Sequence, residues 1–232
     1  MILRSLHRKG LSWKCVSLGE NALLMQPQHA ENDLLYLKEM QFLIEQTGIQ
    51  GITDIVPSYD ALTILFDRSQ LSHDMLMRNI ELAPAPESEL NWQPKHIEIP
   101  VCYEFGLDWE RIMDRSGLDL KTALQLHSET EYRVAMIGFL PGFIFLDGLN
   151  EQLNCPRLDA PRTSIPKGAV GIGGSQTGLY SMESPGGWNI IGRTPVSLFD
   201  IEKDPPIEVQ PGDILTFKRI SKAEFGDLNG NS

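Results

Sequence analysis

Apolar and polar positions follow one rhythm in the first third of this chain and another in the rest. "WKCVSLG" (13–19) and "NALLMQ" (21–26) predict two short strands about a Gly19-Glu20 turn. "ENDLLYLKEMQFLIEQTG" (31–48) then places Leu37, Met40, Ile44 and Thr47 on one helical face, with Asn32 or Asp33 to cap it and Gly48 to stop it. "ITDIVPSYDALTILF" predicts two more strands around Pro57-Ser58-Tyr59-Asp60, and "QLSHDMLMRNIEL" a second helix capped by Ser72. Two strands, a helix, two strands and a helix predict an α/β sandwich, a ferredoxin-like layer with its helices on one antiparallel sheet. This half carries no catalytic signature.

"APAPESELNWQPK", from Ala83 to Lys95, is rich in proline and polar residues and reads as a connection. The expected boundaries are a first domain over 1–84, a linker over 85–95, a second domain over 96–225 and a loose tail over 226–232. The second domain begins with a strand, "HIEIPVCY", followed by two helices, "DWERIMDRSG" and "DLKTALQLHSE", the latter capped by Asp119. "EYRVAMIGF" is another strand. From Gly138 to Gly212 glycine and proline separate short apolar pieces, "AVGIGG", "GLYSM", "WNIIGR", "VSLFD" and "ILTFKRI", which predicts an all-β barrel or sandwich. The predicted fold class is therefore α+β in two domains. Within the barrel region "GFLPGFIFLDGL" (138–149) is oily yet broken by Pro141 and glycines, so it makes poor core and a good pocket wall or docking rim.

With 41% hydrophobic and 22% charged residues in 232, the composition is that of a soluble globular protein. No apolar run nears the roughly 20 residues of a membrane helix, and Lys14 interrupts "MILRSLHRKGLSWKC" before it resembles a signal peptide. The three cysteines lie far apart, which points to a reducing cytoplasm. The five histidines lack metal-ligand spacing, so no metal is assigned. A net charge of -11 argues against nucleic acid as a partner, and nothing suggests a membrane.

Phosphate-loop, dinucleotide and nucleophile-elbow motifs are absent. What remains is a set of polar side chains on glycine-rich turns: His127, Arg157, Arg162, Lys167, Gln176, Thr177, Glu183, Ser184 and Arg193. In a barrel these can be corner and bracing residues. Arginine forks and glycine-freed backbone N–H groups equally suit a small anion. Spacing alone leaves both readings open.

Three segments, "PRTSIPKG", "GSQTGLY" and "SPGGWNIIGRTP", together with "GFLPGF", resemble the bacterial family of 5-oxoprolinase B subunits, also called the allophanate hydrolase subunit 1 family, which includes a KipI-type inhibitor of a sporulation histidine kinase. The resemblance extends over most of the chain, although "CYEFG" is shorter than the family's usual segment. It implies an N-terminal α/β domain joined to a cyclophilin-like β-barrel. It also implies a heteromeric, ATP-dependent complex with C and A subunits that opens 5-oxoproline to glutamate, this chain being inactive alone and ATP sitting here or mainly on a partner. Two alternatives are a non-catalytic inhibitor bound to a sensor histidine kinase and a component of an allophanate or urea-amidolyase hydrolase. On residue chemistry and motif position, Arg162 and Arg193 are the expected cations, and Glu183 or His127 the base. Lys167, Gln176, Thr177, Gly186 and Gly187 are expected to bind substrate or nucleotide. Phe139, Leu140, Pro141, Phe143 and Trp188 are the expected partner or pocket surface.

Overall fold

The computed structural model describes residues 3–8, 10–28 and 33–230, and the chain divides into two compact units, Met1–Gln93 and Pro94–Ser232. In the first, β1 (Leu3–Arg8), β2 (Leu11–Leu18) and β3 (Ala22–Pro27) precede α1 (Asp33–Thr47). β4 (Ile52–Ser58), β5 (Ala61–Phe66) and α2 (His73–Leu82) follow. The sheet order is β1-β2-β3-β5-β4, with every neighbouring pair antiparallel. Because β5 lies between β3 and β4, the segment β3–α1–β4 is a split βαβ unit. The place that a last strand takes in a ferredoxin-like chain is filled here by β2, which comes before the unit rather than after it.

β1 lies outside the strands expected from sequence. Its basic residues suggest an extension, but Leu6 pairs with Trp13 and both are buried. Leu37, Met40, Leu43 and Ile44 of α1 and Leu76 and Ile80 of α2 share one hydrophobic cluster with the sheet. Ser72 caps α2 by accepting a hydrogen bond from the N–H of Met75 at 3.2 Å. The cap expected at Asn32 or Asp33 lies outside the described side chains. Residues 83–95 form no helix or strand.

The second unit opens with β6 (His96–Val101), a 3-10 turn at Tyr103–Phe105, α3 (Trp109–Ser116) and α4 (Leu120–Ser128). Asp119 caps α4, its Oδ1 accepting from Thr122 N–H at 2.7 Å. β7 (Tyr132–Ile137), β8 (Ile144–Asp147), β9 (Arg162–Ile165), β10 (Ala169–Gly173) and β11 (Gln176–Leu179) come next. β12 (Ser184–Gly186), β13 (Asn189–Arg193), β14 (Ile214–Arg219) and α5 (Lys222–Gly230) complete the unit. Seven strands form one sheet, β13-β10-β11-β8-β7-β14-β6, in which only β14 and β6 are parallel; β9 and β12 make a separate ribbon. The large sheet curls until its outer strands touch. Cys102, just past β6, exchanges backbone hydrogen bonds with Arg193 on β13 at 2.8 and 3.0 Å. Tyr132, Val134, Ile144, Leu146, Val170 and Ile172 lie in the core so enclosed.

Two expectations fail here. "VSLFD" is not a strand but part of an irregular connection between β13 and β14, in which Val196 and Leu198 pack on the core. The tail expected to be loose from residue 226 is helical through Gly230, because Phe225 is buried against Phe105 with ring centroids 4.9 Å apart. No helix among the described residues is long and apolar enough to cross a membrane.

Candidate functional site

The residues singled out from sequence fall into three groups within the second unit. The first lies in the interior. His127, at the end of α4, is fully buried, and its ring stacks on Phe217 at 4.9 Å. Its Nδ1 lies 2.8 Å from Tyr103 Oη and its Nε2 2.9 Å from Thr177 Oγ1. The Thr177 hydroxyl spends its own proton on the carbonyl of Gly171 at 3.0 Å. It must therefore accept from His127, which puts the ring proton on Nε2 and leaves Nδ1 to accept from Tyr103. Burial pulls the imidazole down to about 3, so the ring is neutral across the physiological range. Burial likewise pushes the Tyr103 phenol well up. In this arrangement neither His127 nor Thr177 meets solvent; they join α4 to β11. The expected base and substrate contact are inside the curled sheet; in sequence a helix-end histidine and a threonine beside a glycine look alike whether they face in or out.

The second group surrounds the Gly186-Gly187 turn. Arg162 Nη2 pairs with Asp108 Oδ1 at 2.6 Å, and Asp108 Oδ2 accepts from the N–H of Ile190 at 2.6 Å. Asp108 stands at the N-terminal end of α3, a position where an aspartate commonly caps a helix. Its carboxylate makes no cap bond and crosses instead to β9 and β13. No local sequence signal distinguishes those two uses. Arg162 Nη1 also reaches the carbonyl of Trp188 at 3.5 Å. Arg157, exposed, lies with its guanidinium carbon 5.7 Å from the centre of the Trp188 ring. Gly186 admits no side chain: a Cβ there would stand 2.6 Å from Tyr180 Oη. Gln176 is half-buried in the β10–β11 hairpin, whose Gly173 backs onto Trp188 so closely that a Cβ would meet the indole at 2.6 Å.

The third group stands at the other end of the β9–β12 ribbon. Arg193 Nε donates to the carbonyl of Lys167 at 2.8 Å, and Lys167 Nζ reaches Ser197 Oγ at 3.1 Å. Ser184 pairs with Ile165 in the ribbon, which sets the exposed Glu183 at the same end as Lys167. Arg162 and Arg193, expected to share a site, thus belong to different groups.

Beside these groups the "GFLPGF" segment divides its residues between core and surface. Phe143 is buried at the centre of an aromatic cluster, with ring centroids 4.5 Å from Phe145, 4.8 Å from Tyr180, 5.5 Å from Trp188 and 5.6 Å from Phe139. Leu140 to Phe143 form a hydrogen-bonded turn with Pro141 second and Gly142 third at φ 76°, the pattern of a type II turn. Phe139, just before it, is 66% exposed and takes φ 70°, a conformation that costs an aromatic residue strain. The Ser181 hydroxyl, donating to the carbonyl of Pro141, fixes the loop from beneath. Phe143 and Trp188 are core, and Phe139 and Pro141 are surface.

Residues 13–209 match the family described as carboxyltransferase domain, subdomain C and D. The B subunit of the 5-oxoprolinase of Bacillus subtilis (strain 168) is 38% identical over 225 residues, covering 90% of this chain and 93% of that protein. The crystal structure of TTHA0988 matches at 31% identity and a TM-score of 0.74 over 87% of this chain, which spans 40% of that longer chain. The urea carboxylase of Kluyveromyces lactis shares the fold, with a TM-score of 0.77 at 17% identity over 100% of this chain and 24% of its own. The chain belongs to the carboxyltransferase subdomain C and D family and, within it, to the family of 5-oxoprolinase B subunits.

Proposed function

We propose that this chain is the B subunit of an ATP-dependent 5-oxoprolinase and shares its catalytic site with partner subunits. The observation that carries the reading is the near full-length similarity to the B subunit of a 5-oxoprolinase. The curled sheet of the second unit is read as the cyclophilin-like barrel of that family. A lactam is a weak electrophile. Transfer of the ATP γ-phosphoryl group to the lactam oxygen, with ADP leaving, makes its carbon open to water. One water adds to that carbon and the C–N bond breaks, the ring nitrogen leaving as the amine and an acyl phosphate remaining; a second water then releases phosphate to give glutamate. That sequence calls for cations near the phosphoryl oxygens and a base for water. Lys167 and Arg193 supply positive charge at one end of the β9–β12 ribbon, and Glu183 at that same end is the base. His127 keeps the interior in place instead. ATP is held mainly by a partner subunit.

Exposed Phe139 and Pro141 form the docking rim for that partner. The strain at Phe139 and the fixed turn behind it support a displayed side chain rather than a misplaced one. The longer TTHA0988 chain supports a second polypeptide on this unit, since more than half of it lies beyond the part matched here.

The test is glutamate release from 5-oxoproline and ATP by this chain with the A and C subunits, each then omitted in turn. Loss of activity on omitting this chain, and on Glu183→Gln or Arg193→Ala, is the expected result. Full activity without it would leave a binding regulator, with a sensor histidine kinase as the next partner to try.

A further inference from the structure

The proposed reaction brings in a substrate with a carboxylate, and the second unit holds two arginines at the Gly186–Trp188 turn with different surroundings. Arg162 is already used. Its guanidinium is paired with Asp108, whose side chain is only 9% exposed, and it also reaches the Trp188 carbonyl. Removing either member of such a pair strands a charge in a poorly solvated place, which is the behaviour of a brace.

Arg157 stands otherwise. Among the described residues no carboxylate pairs with it. Its backbone, however, is held on both sides. The carbonyl of Pro156 accepts from Asn189 Nδ2 at 3.0 Å, and the N–H of Leu158 donates to the carbonyl of Gly187 at 2.7 Å. Its guanidinium lies over the Trp188 ring, a platform that fixes a planar cation without neutralising it. Tyr180 Oη lies under Gly186 in the same place. Burial pushes that phenol up to about 12 while Arg157, the Trp188 backbone and Arg162 pull the other way, so the hydroxyl keeps its proton within the field of both arginines. An exposed guanidinium, pre-oriented on an aromatic face beside a glycine turn, has the fork geometry that takes a carboxylate by two hydrogen bonds.

We infer that Arg157, stacked on Trp188 beside the Gly186-Gly187 turn, binds the carboxylate of the lactam substrate, and that the Asp108–Arg162 pair is the brace that holds this turn. The inference rests on the 5-oxoprolinase reading and adds to it the residue that selects a lactam bearing a carboxylate.

The test uses the assembled complex and compares wild type with Arg157→Ala, Arg157→Lys and Arg162→Ala. KM for 5-oxoproline, KM for ATP, kcat and the melting temperature of this chain are read for each. Arg157→Ala is expected to raise KM for 5-oxoproline about 10- to 100-fold, the usual weight of a charge-assisted hydrogen bond, with KM for ATP and the melting temperature unchanged. Arg157→Lys, a point charge without the fork, falls between. Arg162→Ala is expected to lower the melting temperature. An unchanged KM for 5-oxoproline in Arg157→Ala overturns the inference alone. So does a rise in KM for ATP instead, which would make the bound oxyanion a phosphate. A wild-type complex that releases no glutamate overturns the functional reading and this inference with it.

Discussion

The buried His127 makes the stability of the second unit depend on pH in a way that one substitution isolates. In the unfolded chain the imidazole takes up a proton below about pH 6.5. In the folded chain burial holds it neutral down to about 3. Between those values the unfolded state carries the extra proton, so stability falls as pH falls, by up to about 1.4 kcal/mol per pH unit. Lowering the pH from about 7.5 to about 5 should cost about 2 kcal/mol through this group alone, a sizeable part of the roughly 5–15 kcal/mol available to a domain. The perturbation is His127→Gln, which removes the titration. The assay is urea unfolding at both pH values, followed by the fluorescence of Trp109 and Trp188. The variant is less stable at either pH, because Tyr103 and Thr177 lose their shared partner. What matters is the difference between the two pH values. Surface carboxylates and the other histidines contribute equally to both proteins and cancel. Wild type should lose about 2 kcal/mol more than His127→Gln on acidification. Equal losses would refute the reasoning and mean that the ring accepts a proton without unfolding.

Three further outcomes test the packing. Gly173→Ala should destabilise by about 1–3 kcal/mol and change tryptophan fluorescence, because its Cβ would lie within 2.8 Å of three Trp188 ring atoms; an unaltered melting curve would contradict the close approach. Phe143→Ala, which empties the centre of the aromatic cluster, should cost about 3–5 kcal/mol by chemical denaturation, and a loss under about 1 kcal/mol would mean the cluster collapses around the gap. In the first unit Ser72→Ala should cost about 1 kcal/mol while Ser72→Asp keeps the cap, so equal melting temperatures for the two variants would remove Ser72 from that role.

What sequence reveals, and what it hides, follows the range of each interaction. The helices at 73–82 and 120–128 are legible because Ser72 and Asp119 act within three residues of themselves. β1 is hidden behind its arginines, since only its partner strand, through Trp13, shows that Leu6 faces inward. α5 escapes for a related reason, its buried Phe225 being matched to Phe105 far back in the chain. The candidate site shows the limit most clearly. The motifs identify the right turns, but which polar residue faces water is decided by partners fifty or more positions away: Thr177 for His127 and Asp108 for Arg162. Glycine next to tryptophan in "GGW" signals a close approach; it does not say to what.

The parallel pair of β6 and β14 sets an order of events while the chain is being made. The strand that opens the second unit has as its ladder partner the last strand of the sheet, and Cys102, just beyond it, closes on β13. As residues leave the ribosome, β6 therefore waits with an unpaired edge through nearly the whole synthesis of its unit, whereas the first unit has every strand in hand once α2 has emerged. At roughly 5–20 residues per second that wait lasts on the order of ten seconds. Such long-range pairing is slow and leaves an open strand edge exposed to other chains. Pro100, inside β6, removes one donor from the strand's other edge, the one turned away from β14, and makes that edge a poorer template for a stranger. Crowded synthesis should therefore strain the second unit before the first, and replacing Pro100 with a residue that restores the donor should send more of the newly made chain into aggregates.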